Sequence, residues 1–279
     1  MIFTDSHAHL SFVAEELGTE TLAALLSSYA DAQGEAAAAG RNRPLLLDPG
    51  TEPDDLAARS ALLEPWAACG FLRLAAGIWP SPKNLVSPNA SVSALEAAIA
   101  SAQSKGAPIA AVGEGGLDYH YEEGIAGALE RAQGELFESQ LALASRLGLP
   151  MIVHSREAAA ETLAILRSHH ASSPVLIHCF GYGPEEARAF LDLGCYISFA
   201  GNLTYKKSDA LCEACAIVPA GRILLETDSP YMNPMPRRGK PCSPADVERT
   251  YAFAARLRGV AVEDLAETVS ANAHALFGS

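Results

Sequence analysis

The sequence predicts an α/β fold, a single (β/α)8 barrel of the TIM type with an extra C-terminal helix. Short β-rich runs alternate with Ala-, Leu- and Glu-rich stretches along the whole chain. Several of these runs are continuously apolar, which is typical of parallel strands covered on both faces. The 279 residues suit one domain of barrel size, and no linker or repeat divides residues 1–279. A doubly wound open sheet is the alternative architecture.

Each predicted element follows from this alternation. The eight predicted strands cover residues 2–5, 45–48, 72–76, 109–112, 151–154, 175–178, 195–199 and 223–226. The predicted helices cover residues 20–39, 54–68, 91–105, 128–147, 157–169, 184–193 and 208–218, followed by 244–258 and 262–277. Glycine and proline punctuate the changes from helix to strand, as at Gly148 with Pro150 and at Gly194. The stretch before the second strand is longer than a barrel unit needs.

Composition excludes several classes of protein. Hydrophobic residues make up 49% and charged residues 19%, a globular balance, and the formal net charge is −13. Such a surface has no general attraction for nucleic acid or anionic membranes, so a polyanion must be held locally. No apolar run has the length of a membrane helix, and the first residues lack a signal-peptide pattern. Six scattered cysteines indicate reduced thiols, so we expect a cytoplasmic protein. The sequence shows no evident obligate protein partner.

Polar side chains follow five of the predicted strands where each strand ends, which is where barrel enzymes place their active sites. They are His7, His9, Glu114, His154, His178 and Asp228. A single histidine there would be explained by a hydrogen bond that closes the strand. Six such groups together predict convergence on divalent cations, because buried charges are costly unless paired or bound to metal. Six ligands exceed the needs of one catalytic zinc and suit two ions of Zn²⁺, Mn²⁺ or Mg²⁺, bridged by a carboxylate and a water.

The residues at these positions belong to longer motifs that resemble the TatD family of metal-dependent deoxyribonucleases, within the amidohydrolase-like barrels. The motifs include DSHAHL from Asp5, GEGGLDY from Gly113, PMIVHSREA from Pro150, IHCF from Ile177, LETDSPY from Leu225 and RGKPCSP from Arg238. The resemblance implies that His7, His9 and Asp228 hold one ion, that His154 and His178 hold the other, and that Glu114 bridges them. It also implies hydrolysis of DNA phosphodiesters, usually from a 3′ end.

Further roles follow from position. Asp228 is the predicted general base, with Glu114 the second catalytic carboxylate. Glu226 points to the same side of its strand as Asp228 and is predicted to orient a metal ligand. Substrate phosphates are predicted to contact the four side chains Arg156, His120, Arg238 and Lys240. The expected partner is a single-stranded DNA end.

One motif departs from the family pattern. Relatives tend to carry Gly-x-His-Pro after the third strand, whereas this chain has Gly77, Ile78, Trp79 and Pro80. The change concerns substrate contacts more than metal binding, and Trp79 would either pack or stack on a base. Two other functions stay open: hydrolysis of a small ester, amide or lactone on the same barrel, and a non-catalytic barrel whose mouth binds a partner.

Overall fold

A computed structural model describes residues 1–120, 126–169 and 173–278. The helices of these ranges are α1 (Leu10–Leu17), α2 (Thr19–Ala38), α3 (Leu56–Leu63), α4 (Pro88–Ser104), α5 (Ala126–Leu147), α6 (Ala159–His169), α7 (Pro184–Asp192), α8 (Asp209–Ile217), α9 (Val247–Arg258) and α10 (Val262–Phe277). The strands are β1 (Leu46–Asp48), β2 (Leu72–Ala76), β3 (Ile109–Asp118), β4 (Met151–Arg156), β5 (Val175–Ile177), β6 (Tyr196–Phe199) and β7 (Ile223–Leu225).

Within these described ranges the strands form one parallel sheet in the order β1 to β7, with each strand beside its neighbour in the chain. Sequential parallel order is what a barrel requires and is not the order of a doubly wound sheet. The strand cores are fully buried apolar runs, because helices cover their outer side and side chains fill the interior. The predicted fold class is confirmed.

The first predicted strand, residues 2–5, differs from the prediction. It is no regular strand but an extended segment that lies between β1 on one side and the end of β7 with the residues after it on the other. On one side Asp5 N–H donates to Leu45 O at 2.9 Å, and on the other Ser6 N–H donates to Leu225 O at 3.2 Å. Isolated parallel bridges pair Asp5 with Leu46 and Ala8 with Ser229. Backbone hydrogen bonding therefore continues from β7 through this segment, named here the closing segment (Thr4–His9), to β1.

Two further differences concern helix α1 and strand β3. Helix α1 was not predicted, because its 8 residues directly follow His9 and have no side-chain cap. Strand β3 extends six residues beyond its predicted end at Val112, through a glycine-rich run that suggests a turn. The run stays in the sheet because β3 lies very close to its neighbours: a Cβ atom on Gly116, whose φ is 146°, would overlap the carbonyl oxygen of His154. Strand β3 therefore delivers both Glu114 and Asp118 to the mouth of the barrel.

No helix among the described residues combines the length and apolar character that a membrane crossing requires.

Candidate metal centre

The six predicted metal ligands lie together at the carboxyl ends of the strands. His7 and His9 come from the closing segment, Glu114 from β3 and His154 from β4. His178 and Asp228 follow β5 and β7 within three residues. The side chains of His7, His9, Glu114 and His178 are at most 6% exposed, whereas those of Asp228 and His154 are 12% and 18% exposed.

Glu114 is the centre of this group. Its Oε2 atom lies 2.7 Å from His7 Nε2, 3.3 Å from His178 Nε2 and 3.7 Å from His9 Nε2. The Asp228 carboxylate faces the same space, with Oδ1 at 3.5 Å from His9 Nε2 and 3.8 Å from His7 Nε2. The His7 and His178 rings stack with centroids 3.9 Å apart. Nitrogen and oxygen donors from separate elements thus converge on one small volume.

The chemistry of these donors fits a divalent cation. Although His7 Nε2 and Glu114 Oε2 are only 2.7 Å apart, both atoms are buried without a hydrogen bond of acceptable geometry. Buried polar atoms of this kind cost free energy unless they have a partner. A metal ion beside His7 Nε2 and Glu114 Oε2 would accept a lone pair from each atom and so satisfy both.

Three overlapping sets of residues place one ligand atom each within 4.8 Å of the others. These sets are His7 with His9 and Glu114, His7 with His178 and Asp228, and Glu114 with His154 and His178. Glu114 belongs to two of the sets, one containing His9 and the other containing His154, which is the arrangement expected of a bridging carboxylate. His7 also shares a set with His178, so the geometry groups the six residues without dividing them between two ions.

Electrostatics keep the two carboxylates of the centre ionised. Burial alone would raise the pKa of Glu114, but His178, His7 and His9 hold this pKa well below its usual range. Burial likewise opposes ionisation of Asp228, yet a hydrogen bond with His9 and the charges of His7 and His178 lower its pKa. Both side chains therefore offer negatively charged oxygens at neutral pH, as hard divalent cations require.

The histidines of the metal-free centre respond differently to the same surroundings. Burial and the neighbouring His178 lower the pKa of His7. For His178, burial favours the neutral ring, but Glu114, Glu226 and Asp228 together raise its pKa to about 9. At neutral pH, of the two stacked imidazoles, the His178 ring is therefore protonated and the His7 ring is neutral.

Buried backbone contacts position His7 and Asp228. The Asp5 carboxylate accepts hydrogen bonds from His7 N–H at 3.2 Å and from Thr227 Oγ1 at 2.7 Å, so it ties the closing segment to the residues after β7. Asp228 N–H donates to His7 O at 2.9 Å. Asp228 has a φ of 56°, a left-handed conformation that costs a non-glycine residue about 1–3 kcal/mol and persists only where its surroundings enforce it.

Glu226, predicted to orient a ligand, lies behind His178. Its Oε1 atom is 3.4 Å from His178 Nδ1 and accepts the Cys179 N–H at 2.6 Å. Its other oxygen accepts the Ser198 hydroxyl at 2.5 Å. A carboxylate at Nδ1 leaves the opposite nitrogen of the imidazole facing Glu114, which is the arrangement of a histidine that ligates a metal.

Sequence reasoning gave no role to Asp118, which is the corresponding partner of His154. Asp118 Oδ2 lies 2.9 Å from His154 Nε2, and His154 Nδ1 lies 3.2 Å from His178 Nε2. Gln133 of α5 fixes Asp118 by accepting its N–H and donating to its carbonyl. The signal was present in the sequence, since Asp118 ends the same strand that carries Glu114, but it required knowing that the glycine-rich run is extended.

The four predicted phosphate-binding residues are exposed and lie on the rim of the mouth, outside this cluster. His120 Nδ1 is 2.7 Å from Glu157 Oε1, and Arg156 ends β4 beside the last residue of β3. Arg238 stacks over the Tyr205 ring at 4.5 Å, and Lys240 lies in the same loop. Trp79, the residue that departs from the family pattern, is half-buried with its ring centroid 6.0 Å from that of His154.

Comparison with known proteins is consistent with this geometry. The family model described as TatD related DNase matches residues 4–278. The uncharacterized metal-dependent hydrolase YcfH of Escherichia coli is 42% identical over 170 residues, which are 61% of this chain and 63% of that protein. The 3′-5′ ssDNA/RNA exonuclease TatD of Pantoea ananatis is 36% identical over 176 residues, which are 61% of this chain and 66% of that protein. The chain thus matches less than two thirds of the length of these relatives.

A solved structure extends the likeness to the whole chain. The crystal structure of a TatD homologue from Escherichia coli has a TM-score of 0.81 and 28% sequence identity, and each chain is covered completely.

Proposed function

The chain belongs to the TatD related DNase family of metal-dependent hydrolases, and we propose that it hydrolyses nucleic-acid phosphodiesters, as a 3′-5′ exonuclease on single-stranded DNA ends. The observation that carries the proposal is the pair of buried, close and unsatisfied atoms His7 Nε2 and Glu114 Oε2 at the mouth of the barrel. The name of the Pantoea ananatis relative supports the choice of substrate.

Under this proposal two divalent cations of Zn²⁺, Mn²⁺ or Mg²⁺ would be held by His7, His9, Glu114, His154, His178 and Asp228, and Glu114 would be the ligand common to both. Bound there, the cations supply Lewis acidity that makes water nucleophilic at neutral pH and offsets charge on the phosphoryl oxygens.

The protein's own residues have separate tasks in the reaction. The Asp228 carboxylate accepts the proton of the attacking water, since it is ionised at neutral pH and faces the same space as Glu114. Glu226 orients His178 through Nδ1, the ring nitrogen that faces away from Glu114. Asp118 orients His154 through Nε2, the ring nitrogen that faces away from His178. The rim residues Arg156, His120, Arg238 and Lys240 contact substrate phosphates.

We also propose that the protein acts in the cytoplasm, because all six cysteines are free thiols and a reducing compartment preserves them.

The test uses two single-stranded DNA oligonucleotides, one labelled at the 3′ end and one at the 5′ end. With Mg²⁺ or Mn²⁺, we expect the 3′ label to be released at once and the 5′-labelled strand to shorten stepwise. Chelator should abolish both reactions. Glu114→Ala, purified in parallel, controls for contaminating nucleases and should be inactive.

Three results would contradict the proposal. Equal activity of the Glu114→Ala protein would assign the cleavage to a contaminant. Stepwise shortening from the 5′ end would reverse the polarity. Metal-loaded protein that cleaves p-nitrophenyl esters or lactones but no DNA would favour a small-substrate hydrolase on the same barrel.

A further inference from the structure

A group of basic side chains lies in two loops beside the candidate metal centre. We name Lys206, Lys207, Arg237, Arg238 and Lys240 the basic ridge. The loops that carry it follow β6 and β7 and are joined directly: Met235 N–H donates to Thr204 Oγ1 at 2.8 Å, and Tyr205 O–H donates to Asn233 O at 3.1 Å. Arg238 stacks over Tyr205 at 4.5 Å. The two loops therefore form one surface.

The charge of this surface is opposite to that of the chain as a whole. The chain has 33 acidic residues among 279, about one in every eight or nine. The stretches that contain the two loops, residues 193–208 and 229–245, contain no acidic residue. The ridge thus concentrates a quarter of the 20 basic residues of a protein whose net charge is −13.

The cations of the ridge are accessible to a ligand. All five are exposed. Of the ion pairs among the described residues, the one that involves the ridge joins Arg237 to Asp246 at 3.4 Å, and Asp246 lies closer to Arg249, at 2.7 Å. Lys206 and its neighbour Lys207 are in no ion pair with another described residue. Lys207 has a φ of 71°, uncommon for a lysine.

The ridge is attached to the candidate centre itself. The loop that carries Arg237, Arg238 and Lys240 begins at Asp228, whose carbonyl accepts the Tyr231 N–H at 2.9 Å. It returns beside its own start, where Cys242 N–H donates to Pro230 O at 2.9 Å. The loop that carries three of the five ridge cations therefore begins and ends beside Asp228.

Apolar and acidic neighbours define the kind of polyanion that fits. On the same loop Tyr231 is 52% exposed, with its ring centroid 6.0 Å from that of His9. Exposed aromatic rings beside cations are typical of surfaces that bind single strands, because unpaired bases stack on them. By contrast α1, which also leads away from His9, carries the exposed residues Glu15 and Glu16 and would repel phosphate.

We propose that the basic ridge binds the phosphates of a single-stranded nucleic acid beyond the scissile bond, so that the strand crosses the β6 and β7 side of the mouth. The inference rests on the proposed function and adds to it the surface along which the strand leaves the candidate centre. A row of phosphates neutralises several cations at once, which the one phosphate of a small diester cannot do.

The test compares Lys206→Gln/Lys207→Gln with Lys105→Gln/Arg167→Gln. The second pair removes the same charge from exposed positions at the opposite end of the barrel, at the carboxyl ends of α4 and α6. Fluorescence anisotropy with a labelled oligothymidylate in chelator measures binding without cleavage. The ratio of kcat/KM for the oligothymidylate to that for a thymidine dinucleotide measures the ridge during turnover.

We expect the ridge variant to bind the oligothymidylate about tenfold more weakly than wild type. The slope of the logarithm of the binding constant against the logarithm of the salt concentration should decrease in magnitude by about 1.4, which is about 0.7 for each phosphate that is no longer neutralised. Its kcat/KM ratio should fall by a similar factor, and the Lys105/Arg167 variant should match wild type in both measurements. Equal binding by the two variants, an unchanged kcat/KM ratio, or ridge-dependent binding to phosphatidylserine vesicles but not to DNA would overturn the inference. Wild-type protein that cleaves no DNA would instead contradict the proposed function, and the binding measurement would still decide the role of the ridge.

Discussion

Two histidine–carboxylate contacts in this protein have the same length and very different surroundings. His7 Nε2 lies 2.7 Å from Glu114 Oε2 with side chains that are 0% and 6% exposed. His120 Nδ1 lies 2.7 Å from Glu157 Oε1 with side chains that are 48% and 61% exposed. Water screens the second pair, so its contribution to stability is at most about 1 kcal/mol.

Burial, and not distance, therefore distinguishes a candidate metal site from a surface contact in this barrel. Around His7 and Glu114 several buried polar atoms have no hydrogen bond, and a metal ion is the partner that would satisfy them. Around His120 and Glu157 the solvent is that partner. Substitutions at the buried contact should therefore have large effects, and a substitution at the exposed contact should have a small one.

Removing the charge of Glu114 should have the largest effect. Glu114→Gln keeps the shape of the side chain but weakens the ligand proposed to be common to both ions. We therefore expect the proposed hydrolytic activity to fall by more than about a hundredfold, beyond the roughly 10- to 100-fold cost of removing a group that only orients a ligand. Metal content after gel filtration, measured by mass spectrometry, should fall as well. A variant with full metal content and full activity would remove Glu114 from the centre.

Asp118→Asn should have the next largest effect. An amide can donate to His154 Nε2, where the carboxylate can only accept, and so favours the tautomer that carries its proton on Nδ1, the nitrogen facing His178. We expect metal affinity to fall about 10- to 100-fold in isothermal titration.

Two measurements separate this role of Asp118 from a merely structural one. The ¹⁵N chemical shifts of the metal-free protein should report the change of tautomer at His154. Glu157→Gln, which alters the exposed pair in the same way, should leave metal affinity unchanged. Equal affinity of Asp118→Asn and wild type would show that the contact plays no part in metal binding.

Metal uptake should release a proton. The His178 pKa is raised to about 9, above its unfolded value of 6.5, so in the metal-free protein at pH 8 the ring is protonated. Metal binding requires the neutral imidazole, so about one proton per protein should leave when the centre is loaded. Titrations in buffers of different ionisation enthalpy at pH 8 should show heats that depend on the buffer, and identical heats would contradict the prediction.

The same pKa determines how the stability of the metal-free protein changes with pH. The proton on His178 stabilises the fold fully below pH 6.5, and this contribution is lost as pH rises through about 9.

The smallest effect is expected at the exposed pair. Glu157→Gln should change the free energy of unfolding by less than about 1 kcal/mol, because water solvates both side chains whether or not they pair. Urea denaturation measures this change. A decrease of several kcal/mol in the free energy of unfolding would mean that the exposed pair is coupled to the buried centre. Burial would then not distinguish the two contacts.

Much of this arrangement could be predicted from the sequence because strand ends in a parallel barrel meet at one face. An apolar run followed by a histidine, as at His154 and His178, indicates both the strand and its functional end. Helix α1 was missed because its short sequence has no cap and follows the motif that carries His9. Asp118 was missed because its glycine-rich run is extended only through close approach to the backbone of β4 at Gly116, and the local sequence does not show that the run is extended.

The ridge shows the opposite limitation. Its cations are visible in the sequence, and Arg238 and Lys240 were predicted to bind phosphate. Their union with Lys206 and Lys207 depends on contacts between two loops, such as the bond between Met235 and Thr204, that no local pattern encodes.

The closing segment also constrains the order in which the protein can mature on the ribosome. His7 and Asp5 bond to residues around Asp228, more than 200 positions later in the chain. Because translation proceeds from the N-terminus, Asp5 and His7 cannot form these hydrogen bonds until almost the whole barrel has been synthesised. Half-built chains therefore lack the complete set of metal-binding groups. The candidate metal centre can therefore form only when synthesis of the barrel is nearly complete.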